Sequence, residues 1–305
     1  MVEDEAALAE GGVAGRLARP LRRLAVEDLA AEWFTGHVRL VVEGLPPGVA
    51  LGPLAGRVRG ALGAVLQETA SAEAVAGLPC PWRPPSALDL LFRSQGRLTK
   101  AMEIPKPMLI ALDPDGRRLA VEVGLTGFAS ECLEEVAAAL VRAWRERIPD
   151  VAGSRLVDRQ IWSSAGVVVP EAAVVILEFT SPLAIRFKGA GPASADAALW
   201  SLLASLGNRV SGLARWQDCE VAADWTGLKA LAAGVAMRCL ASSSARWERR
   251  SFRQDRRIPM AGDVPVLRLE GALGPFLPWL ALGTLTHVGS HAALGMGRYR
   301  LLVED

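Results

Sequence analysis

The chain has 305 residues, 51% of them apolar, and its 34 basic and 33 acidic side chains give a formal net charge of +1. This composition excludes a disordered polyelectrolyte, which combines low hydrophobicity with a high net charge. A chain of about 300 residues is long enough to form two compact domains, each with its own core.

Arginine dominates the basic side chains. Only four of them are lysines, at positions 100, 106, 188 and 229, so the other 30 are arginines. A GC-rich genome favours arginine codons and can produce such a bias without any function. A guanidinium also pairs phosphate oxygens bidentately and stacks on bases, so the same bias is typical of a surface that binds a polyanion. Composition alone leaves both explanations open.

Three features bear on compartment and cofactors. The apolar run 273–285 is interrupted by Pro275, Pro278 and Gly283 and is shorter than the roughly 20 residues of a membrane span. The acidic start Val2-Glu3-Asp4-Glu5 is unlike the basic start of a secretory signal. The four cysteines form no C-x-x-C pair, which argues against a zinc or thiol redox site. We therefore expect a cytoplasmic protein with no membrane association, no cofactor and no metal.

The first half of the chain predicts the element order βαββαβ. Strands are assigned from alternation of apolar residues and helices from apolar residues at helical spacing. In chain order these are a strand over 37–43, a helix over 53–67, a hairpin of strands over 108–112 and 118–125, a helix over 130–147 and an extended stretch over 155–169. The turn of the hairpin is Asp113-Pro114-Asp115-Gly116, and Ser130 is predicted to cap the second helix.

The second half repeats the same order. Its predicted elements are a strand over 173–180 that resumes over 183–187, a helix over 195–213, strands over 247–253 and 264–270, a short helix over 275–282 and a last strand over 298–303. An insertion over 216–241, with a helix over 228–240, separates the first helix from the second strand.

The repeated order predicts an α+β fold of two tandem ferredoxin-like (βαββαβ, RRM-like) domains, with a helical insertion in the second. The boundary is expected near residues 165–172. We assign 1–168 to the N-terminal domain, in which about the first 30 residues form a flexible segment, and 169–305 to the C-terminal domain. A ferredoxin-like sheet serves many functions, so the fold alone does not predict one.

A G-rich loop, residues 283–297, is the most informative segment of the sequence. It places Gly283, Gly289, Gly295 and Gly297 within 15 residues, directly before the last predicted strand. Glycines let backbone N–H groups approach a ligand and form an anion nest. They are equally suited to a tight connection that requires positive φ angles. The loop lacks the P-loop pattern and the strand-then-helix context of a dinucleotide site.

The C-terminal sequence resembles the RAMP-superfamily endoribonucleases that process precursor CRISPR RNA. Their end reads approximately as a hydrophobic helix followed by L-G-x-x-x-H-V-G-x-x-x-x-x-G-x-G-x-Y. The positions that match it are His287, Val288, Gly289, Gly295, Gly297 and Tyr299. Further segments that are similar to the family are 51–63, 103–110, 125–140, 177–189, 199–214 and 246–257. The resemblance covers about residues 37–303.

The resemblance implies two ferredoxin-like domains that grip a CRISPR repeat RNA stem-loop with help from the G-rich loop. It also implies one cut per repeat without a metal ion, by attack of a ribose 2′-OH that leaves a cyclic phosphate and a 5′-OH. Such chemistry needs a base, an acid and positive charge at the phosphorane.

Many members of the family carry a catalytic histidine after the first helix, and residues 68–76 contain none. This departure favours the alternative of a non-catalytic RAMP subunit that holds CRISPR RNA in an effector complex with other Cas proteins. A module that binds only protein partners is disfavoured by the G-rich loop and the arginine clusters.

The candidate catalytic residues are His37, Arg59 and His291. His37 is predicted on the strand face opposite Val38, where it could act on RNA or be an ordinary packed or exposed histidine. His291 lies inside the G-rich loop, where it could contact RNA directly. Arg59 would act by electrostatics if no histidine is the base, because a guanidinium is a poor base at neutral pH.

The candidate RNA-binding residues come from basic clusters and from the G-rich loop. They are Arg23, Arg57, Lys188, Arg246, Arg249, Arg250, Arg253, His287, Gly289, Ser290, Gly295, Gly297 and Arg298. In a strand, Arg249 and Arg253 share one face while Arg246 and Arg250 share the other, so only part of this cluster can face one ligand. His287 has a second interpretation, in which its ring orients the loop through a hydrogen bond to the backbone. A solvated charged face remains the simple alternative for each arginine cluster.

Overall fold

A computed structural model describes residues 12–100, 102–148, 151, 153–185, 195–251 and 256–304. These residues group into two compact units. The first contains the described residues up to Arg23, Phe34–Ala165 and Gly212–Glu220, and the second contains Leu24–Trp33, Gly166–Ser211 and the residues from Val221 onward. The boundary after residue 168 stays a prediction. None of the helices in the described ranges is long and apolar enough to cross a membrane.

The elements up to residue 165 carry the first βαββαβ order. They are α1 (12–18), β1 (Arg22–Leu24), α2 (Val26–Glu32), β2 (Phe34–Glu43), α3 (Leu51–Gln67), α4 (Ala72–Val75), α5 (Ala87–Phe92), β3 (Arg97–Thr99), β4 (Met102–Glu103), β5 (Met108–Asp115), β6 (Arg118–Thr126), α6 (Leu133–Arg147) and β7 (Arg155–Ala165).

The remaining elements carry the second βαββαβ order. They are β8 (Val174–Phe179), α7 (Ala195–Ala214), β9 (Cys219–Val221), α8 (Trp225–Leu231), β10 (Val235–Ser251), β11 (Arg256–Gly271), α9 (Leu277–Thr286) and β12 (Tyr299–Val303).

The first unit is built on an antiparallel sheet with the strand order β5-β6-β2-β7. Numbered within the βαββαβ repeat, this is the order 2-3-1-4 of a ferredoxin-like sheet. Val38, Leu40 and Val42 of the central strand β2 are completely buried, and α3 and α6 pack together on this side of the sheet. The alternation of β2 therefore gives the unit one covered face and leaves the other face for polar side chains.

The second unit has the equivalent order β10-β11-β8-β12, also antiparallel. Its helix α9 is buried along most of its length and packs against β12 and α2. The predicted α+β class with two ferredoxin-like repeats is confirmed.

Two local predictions are wrong. The helix expected over 228–240 ends at Leu231, and from Val235 the chain is a strand that pairs with β11. Residues from Val235 form a strand because they pair with β11, and the spacing of apolar residues alone does not reveal that pairing. Ser130 does not cap α6, because it lies in a 3-10 turn over Gly127–Cys132. Its hydroxyl instead accepts from the Gly36 N–H at 3.0 Å and donates to the Leu125 carbonyl at 2.8 Å.

The strands β10 and β11 form a hairpin that is longer than the rest of their sheet. Within the described residues β11 pairs with β8 only over Val266–Glu270, apart from a bridge between Leu183 and Asp263. Residues 241–251 and 256–265, here called the hairpin arm, therefore pair almost wholly with each other.

Residues 283–286 of the G-rich loop form the last turn of α9, and the rest of the loop is a tight connection between α9 and β12. Gly289, Gly295 and Gly297 have φ angles of +85°, +82° and +71°, a region that L side chains rarely adopt. A Cβ on Gly297 would stand 1.8 Å from the Val288 carbonyl oxygen, and one on Gly289 would stand 2.6 Å from the Ala184 oxygen. Backbone conformation and close packing thus both require glycine at these positions.

The backbone N–H groups of this connection largely serve the fold. At least seven of them donate to other groups of the chain, at residues 287, 288, 290, 294, 295, 297 and 298. Ser290 and Gly297, for example, donate to the carbonyls of Ala184 and Pro182. These groups are not available to a bound anion, so the structural interpretation of the glycines accounts for most of the loop.

We expect Gly297→Ala to destabilise the protein by about 2 kcal/mol or more, because it adds a strained φ and a backbone clash at one position. The measurement is chemical denaturation of the full chain. Gly274→Ala is the matched control, since Gly274 has no positive φ and a Cβ there meets nothing within 4 Å. Equal stability of the two variants would contradict this account of the loop.

Candidate functional site

His37 lies on the polar face of the first unit's sheet, opposite the face covered by α3 and α6. We call this polar face the open face. His37 makes three specific contacts there. Its Nδ1 is 3.0 Å from Glu122 Oε1, and its Nε2 is 3.1 Å from Ser164 Oγ. Its ring stacks on Trp162 with centroids 4.8 Å apart and planes inclined by 6°. The register explains this arrangement, because His37 stands opposite Gly124 and Trp162, and Glu122 and Ser164 are its diagonal neighbours.

The two neighbours of the ring nitrogens favour one tautomer of the His37 ring. An ionised carboxylate only accepts hydrogen bonds, so with Glu122 charged a neutral His37 carries its proton on Nδ1. The lone pair is then on Nε2 and points at a hydroxyl group. The side chains of His37 and Glu122 are 12% and 23% exposed, so the pair is largely enclosed but is still reached by solvent. Such a histidine is arranged as a general base toward a hydroxyl.

Two further polar side chains of β2 flank His37. Thr35 and Arg39 stand two residues before and after it, which places them on the same face of the strand. The Thr35 Oγ1 and the Arg39 Nε are buried and have no hydrogen-bond partner among the described residues. Arg39 stands opposite Glu122 and Gln160. The open face therefore carries a cationic donor and an unsatisfied hydroxyl beside the histidine.

Arg59 is not on this face. It belongs to α3, which lies on the side of the sheet that carries Val38 and Leu40, and its guanidinium stacks over the Phe92 ring at 4.6 Å. The sheet therefore separates Arg59 from His37. Arg57, on the same helix, is half-buried, and Arg23 is exposed on β1. The catalytic role of Arg59 and the RNA-binding roles of Arg57 and Arg23 stay predictions.

The two histidines of the G-rich loop differ in environment. His287 is 4% exposed and its Nδ1 has no partner among the described residues. Burial, together with nearby Arg209 and Arg298, lowers its pKa to about 3 against the effect of a hydrogen bond to the Met296 backbone. Its ring is therefore neutral and packed inside the loop, which favours the loop-orienting interpretation over direct RNA contact. His291 is exposed with φ +64°.

Neighbouring groups hold the loop in place. Arg209 donates from Nε to the Thr286 carbonyl at the end of α9. Tyr299 donates to the Leu280 carbonyl at 2.6 Å, and burial raises its pKa far above the ordinary value. Tyr299 thus belongs to the core. The backbone N–H of Arg298 donates to Ser181 Oγ at 2.8 Å, and its side chain is half-buried at the end of the loop. The RNA-binding roles of His287, Gly289, Ser290, Gly295, Gly297 and Arg298 stay predictions.

The hairpin arm carries the densest arginine cluster. Arg246 is exposed, and Arg249 is half-buried next to Trp247 on the strand. Arg257 makes an ion pair with Glu248 at 3.3 Å, so this arginine is partly neutralised within the arm. The side chain of Arg250 and the whole of Arg253 and Lys188 lie outside the described residues, so their predicted RNA contacts stay predictions. In the part of the chain that is described, no cluster of three or more His, Cys, Asp or Glu side chains could hold a metal ion.

Sequence pattern predicted His37 as a candidate but did not predict its neighbours Glu122, Ser164, Trp162 and Arg39. The alternation of β2 could have placed Arg39 on the face of His37. The other three depend on strand register, which sequence pattern specifies only weakly.

Comparison with known proteins finds a family that is similar to part of the chain, most of it in the second unit. Residues 177–299, from β8 to the first residue of β12, match the family model for the CRISPR-associated endoribonuclease Cas6. The matched range contains the hairpin arm and the G-rich loop. A comparison with curated protein sequences finds no match.

Among solved structures, the product complex of Cas6 (TTHA0078) aligns over 89% of this chain and 100% of its own, with 20% identity and a TM-score of 0.50. The product complex of Cas6 (TTHB231) aligns over 90% of this chain and 100% of its own, with 16% identity and a TM-score of 0.49. At 20% identity the likeness to the first of these structures shows the fold alone. The match over residues 177–299 agrees with the resemblance that the G-rich motif predicts, and it shows that this segment is similar to the CRISPR-associated endoribonuclease family Cas6.

Proposed function

We propose that this chain is a metal-independent endoribonuclease that cuts precursor CRISPR RNA within the repeat by 2′-OH attack. The observation that carries the proposal is that residues 177–299, which contain the G-rich loop, match the Cas6 family model. The enclosed histidine on the first sheet supports it, because His37 Nε2 is 3.1 Å from a hydroxyl oxygen, a geometry suited to deprotonating an alcohol. The partner is a repeat RNA stem-loop, and other Cas proteins and a cytoplasmic location belong to the same proposal.

In this reaction the ribose supplies the nucleophile. Its 2′-oxygen bonds to the adjacent phosphorus, the P–O5′ bond breaks, and the products are a 2′,3′-cyclic phosphate and a 5′-OH. DNA lacks the 2′-OH and cannot react in this way. The candidate catalytic residues are His37, Arg59 and His291. Of these three, His37 has the environment that best suits a catalytic role.

A second function is a RAMP subunit that holds CRISPR RNA in an effector complex without cutting it. The observation that favours it is the absence of histidine from residues 68–76, where many members of the family carry their catalytic histidine.

We expect the purified protein to cleave a repeat RNA of its own genome in the presence of EDTA, and to leave intact the same RNA with one 2′-deoxy nucleotide at the cut site. The measurement is denaturing electrophoresis of end-labelled RNA, with periodate treatment to detect the cyclic or 2′,3′-diol end. Tight binding without cleavage would favour the non-catalytic subunit. Cleavage of both substrates would exclude 2′-OH attack, and loss of cleavage in EDTA would exclude metal independence.

We expect Arg246→Ala to weaken binding of the repeat hairpin and to lower the slope of log Kd against log salt by about 1, as loss of one phosphate contact does. Arg246 is exposed on the hairpin arm, so the substitution removes charge without opening the core. The readout is a fluorescence anisotropy titration at several salt concentrations. Arg145→Ala is the matched control, because it removes the same charge from an exposed position of α6. An equal change in both variants would argue against a specific role for the arm.

A further inference from the structure

We propose that Glu122 is a positioning residue that holds His37 in the Nδ1–H tautomer, so that His37 Nε2 acts as the base for a ribose 2′-OH at the place now occupied by the Ser164 hydroxyl. The proposal rests on the proposed ribonuclease function and adds to it a residue that neither the sequence motifs nor the family match singles out.

The first step is the hydrogen-bond geometry. Glu122 Oε1 lies 3.0 Å from Nδ1 and Ser164 Oγ lies 3.1 Å from Nε2, so the two ring nitrogens face groups of opposite kind. A carboxylate accepts only, whereas a hydroxyl can donate. The ring is thus held with a proton toward Glu122 and a lone pair toward Ser164. A ribose 2′-OH has the same functional group as serine and can take its place once the Ser164 side chain rotates away.

The His37 ring is also held rigidly in place. The ring of His37 is stacked on Trp162 at 4.8 Å with an inclination of 6°, and both residues are directly opposed in the β2–β7 ladder. Rotation of the ring would break both hydrogen bonds and the stacking. Groups held by sheet positions and by neighbouring hydrogen bonds keep a catalytic geometry better than groups on loops.

The third step is charge at the phosphate. Arg39 is two residues from His37 on the same face, and its buried Nε lacks a partner among the described residues. A phosphodiester whose ribose reaches His37 brings anionic oxygens, which are suitable acceptors for this N–H. Arg39 would therefore stabilise the charge that develops on the phosphorane.

In the proposed reaction, two proton transfers accompany the exchange of bonds at phosphorus. His37 Nε2 takes the proton of the 2′-OH and becomes an imidazolium, whose positive charge Glu122 offsets. The 2′-oxygen bonds to phosphorus, the P–O5′ bond breaks, and the leaving 5′-oxygen takes a proton from water. His37 returns its proton to solvent. Glu122 touches neither the ribose nor the phosphate and acts only through His37.

The first test needs no RNA. In protein labelled with ¹⁵N-histidine, we expect the imidazole nitrogen shifts and couplings to assign the Nδ1–H tautomer to His37. Glu122→Ala should shift the population toward Nε2–H, and Glu122→Asp should retain the wild-type form in part. An Nε2–H ring in the wild type, or no change in the Ala variant, would overturn the positioning role whatever the protein does to RNA.

The second test is single-turnover cleavage of repeat RNA in EDTA. We expect Glu122→Ala to slow cleavage by about 10- to 100-fold, the usual cost of removing a group that orients a functional histidine, with Kd for the RNA weakened no more than about twofold because Glu122 does not contact the RNA. Glu122→Asp should recover part of the rate. In a His37→Ala background the Glu122 substitution should have no further effect, because the two residues act as one unit.

Asp115→Ala is the matched control, since Asp115 is an exposed carboxylate at the far end of β5 in the same sheet. An unchanged rate in Glu122→Ala, while the wild type cleaves, would overturn the positioning role and leave the proposed function standing. A wild type that binds RNA without cutting it would overturn the base role of His37 together with the proposed function. A rate loss accompanied by an equal loss of RNA binding would mean that Glu122 supports binding, not the base.

Discussion

The two-residue alternation of the central strand β2 is the constraint on which the N-terminal unit depends. Val38, Leu40 and Val42 are completely buried beneath the helices, and their burial contributes the apolar free energy that fixes the face of every other side chain on the strand. A shift of register by one residue would place His37 in the core and expose the valines. The polar cluster on the open face is thus held in position by hydrophobic packing on the opposite face.

In the C-terminal unit the equivalent constraint is the backbone connection after α9. Gly297 approaches Val288 so closely that no Cβ fits, and the N–H of Val288 donates to the Gly297 carbonyl at 2.9 Å. These contacts, with the buried His287 ring, bring the chain from the end of α9 into β12. The G-rich signature is therefore in the first place a requirement of the fold. The backbone N–H groups of the loop that these contacts occupy are therefore not available to the RNA that the proposed function requires.

Sequence pattern could predict most of the fold because its signals are local. Alternation found β2 and helical spacing found α3, and the repeated order revealed two ferredoxin-like sheets. The failures lie where distant contacts decide. Residues 235–240 have apolar spacing compatible with a helix, but pairing with β11 makes them a strand. Serine is a common helix cap, but the Ser130 hydroxyl instead accepts from the Gly36 N–H and donates to the Leu125 carbonyl. The candidate site follows the same rule, since pattern predicts only His37 as a candidate, whereas Glu122 and Ser164 come beside it through cross-strand register.

The arginine excess acquires a third explanation from the structure. Several arginines serve intramolecular ion pairs: Arg142 and Arg147 both reach Glu68, and Arg268 bridges Glu270 and Glu304. A planar guanidinium with several donors can bridge two carboxylates in a fixed geometry, which an ammonium does less well. Such pairs explain how so many arginines coexist with a net charge near zero. The arginines that we propose to contact RNA lie outside these pairs, and they include exposed Arg246 on the hairpin arm and Arg39 beside His37.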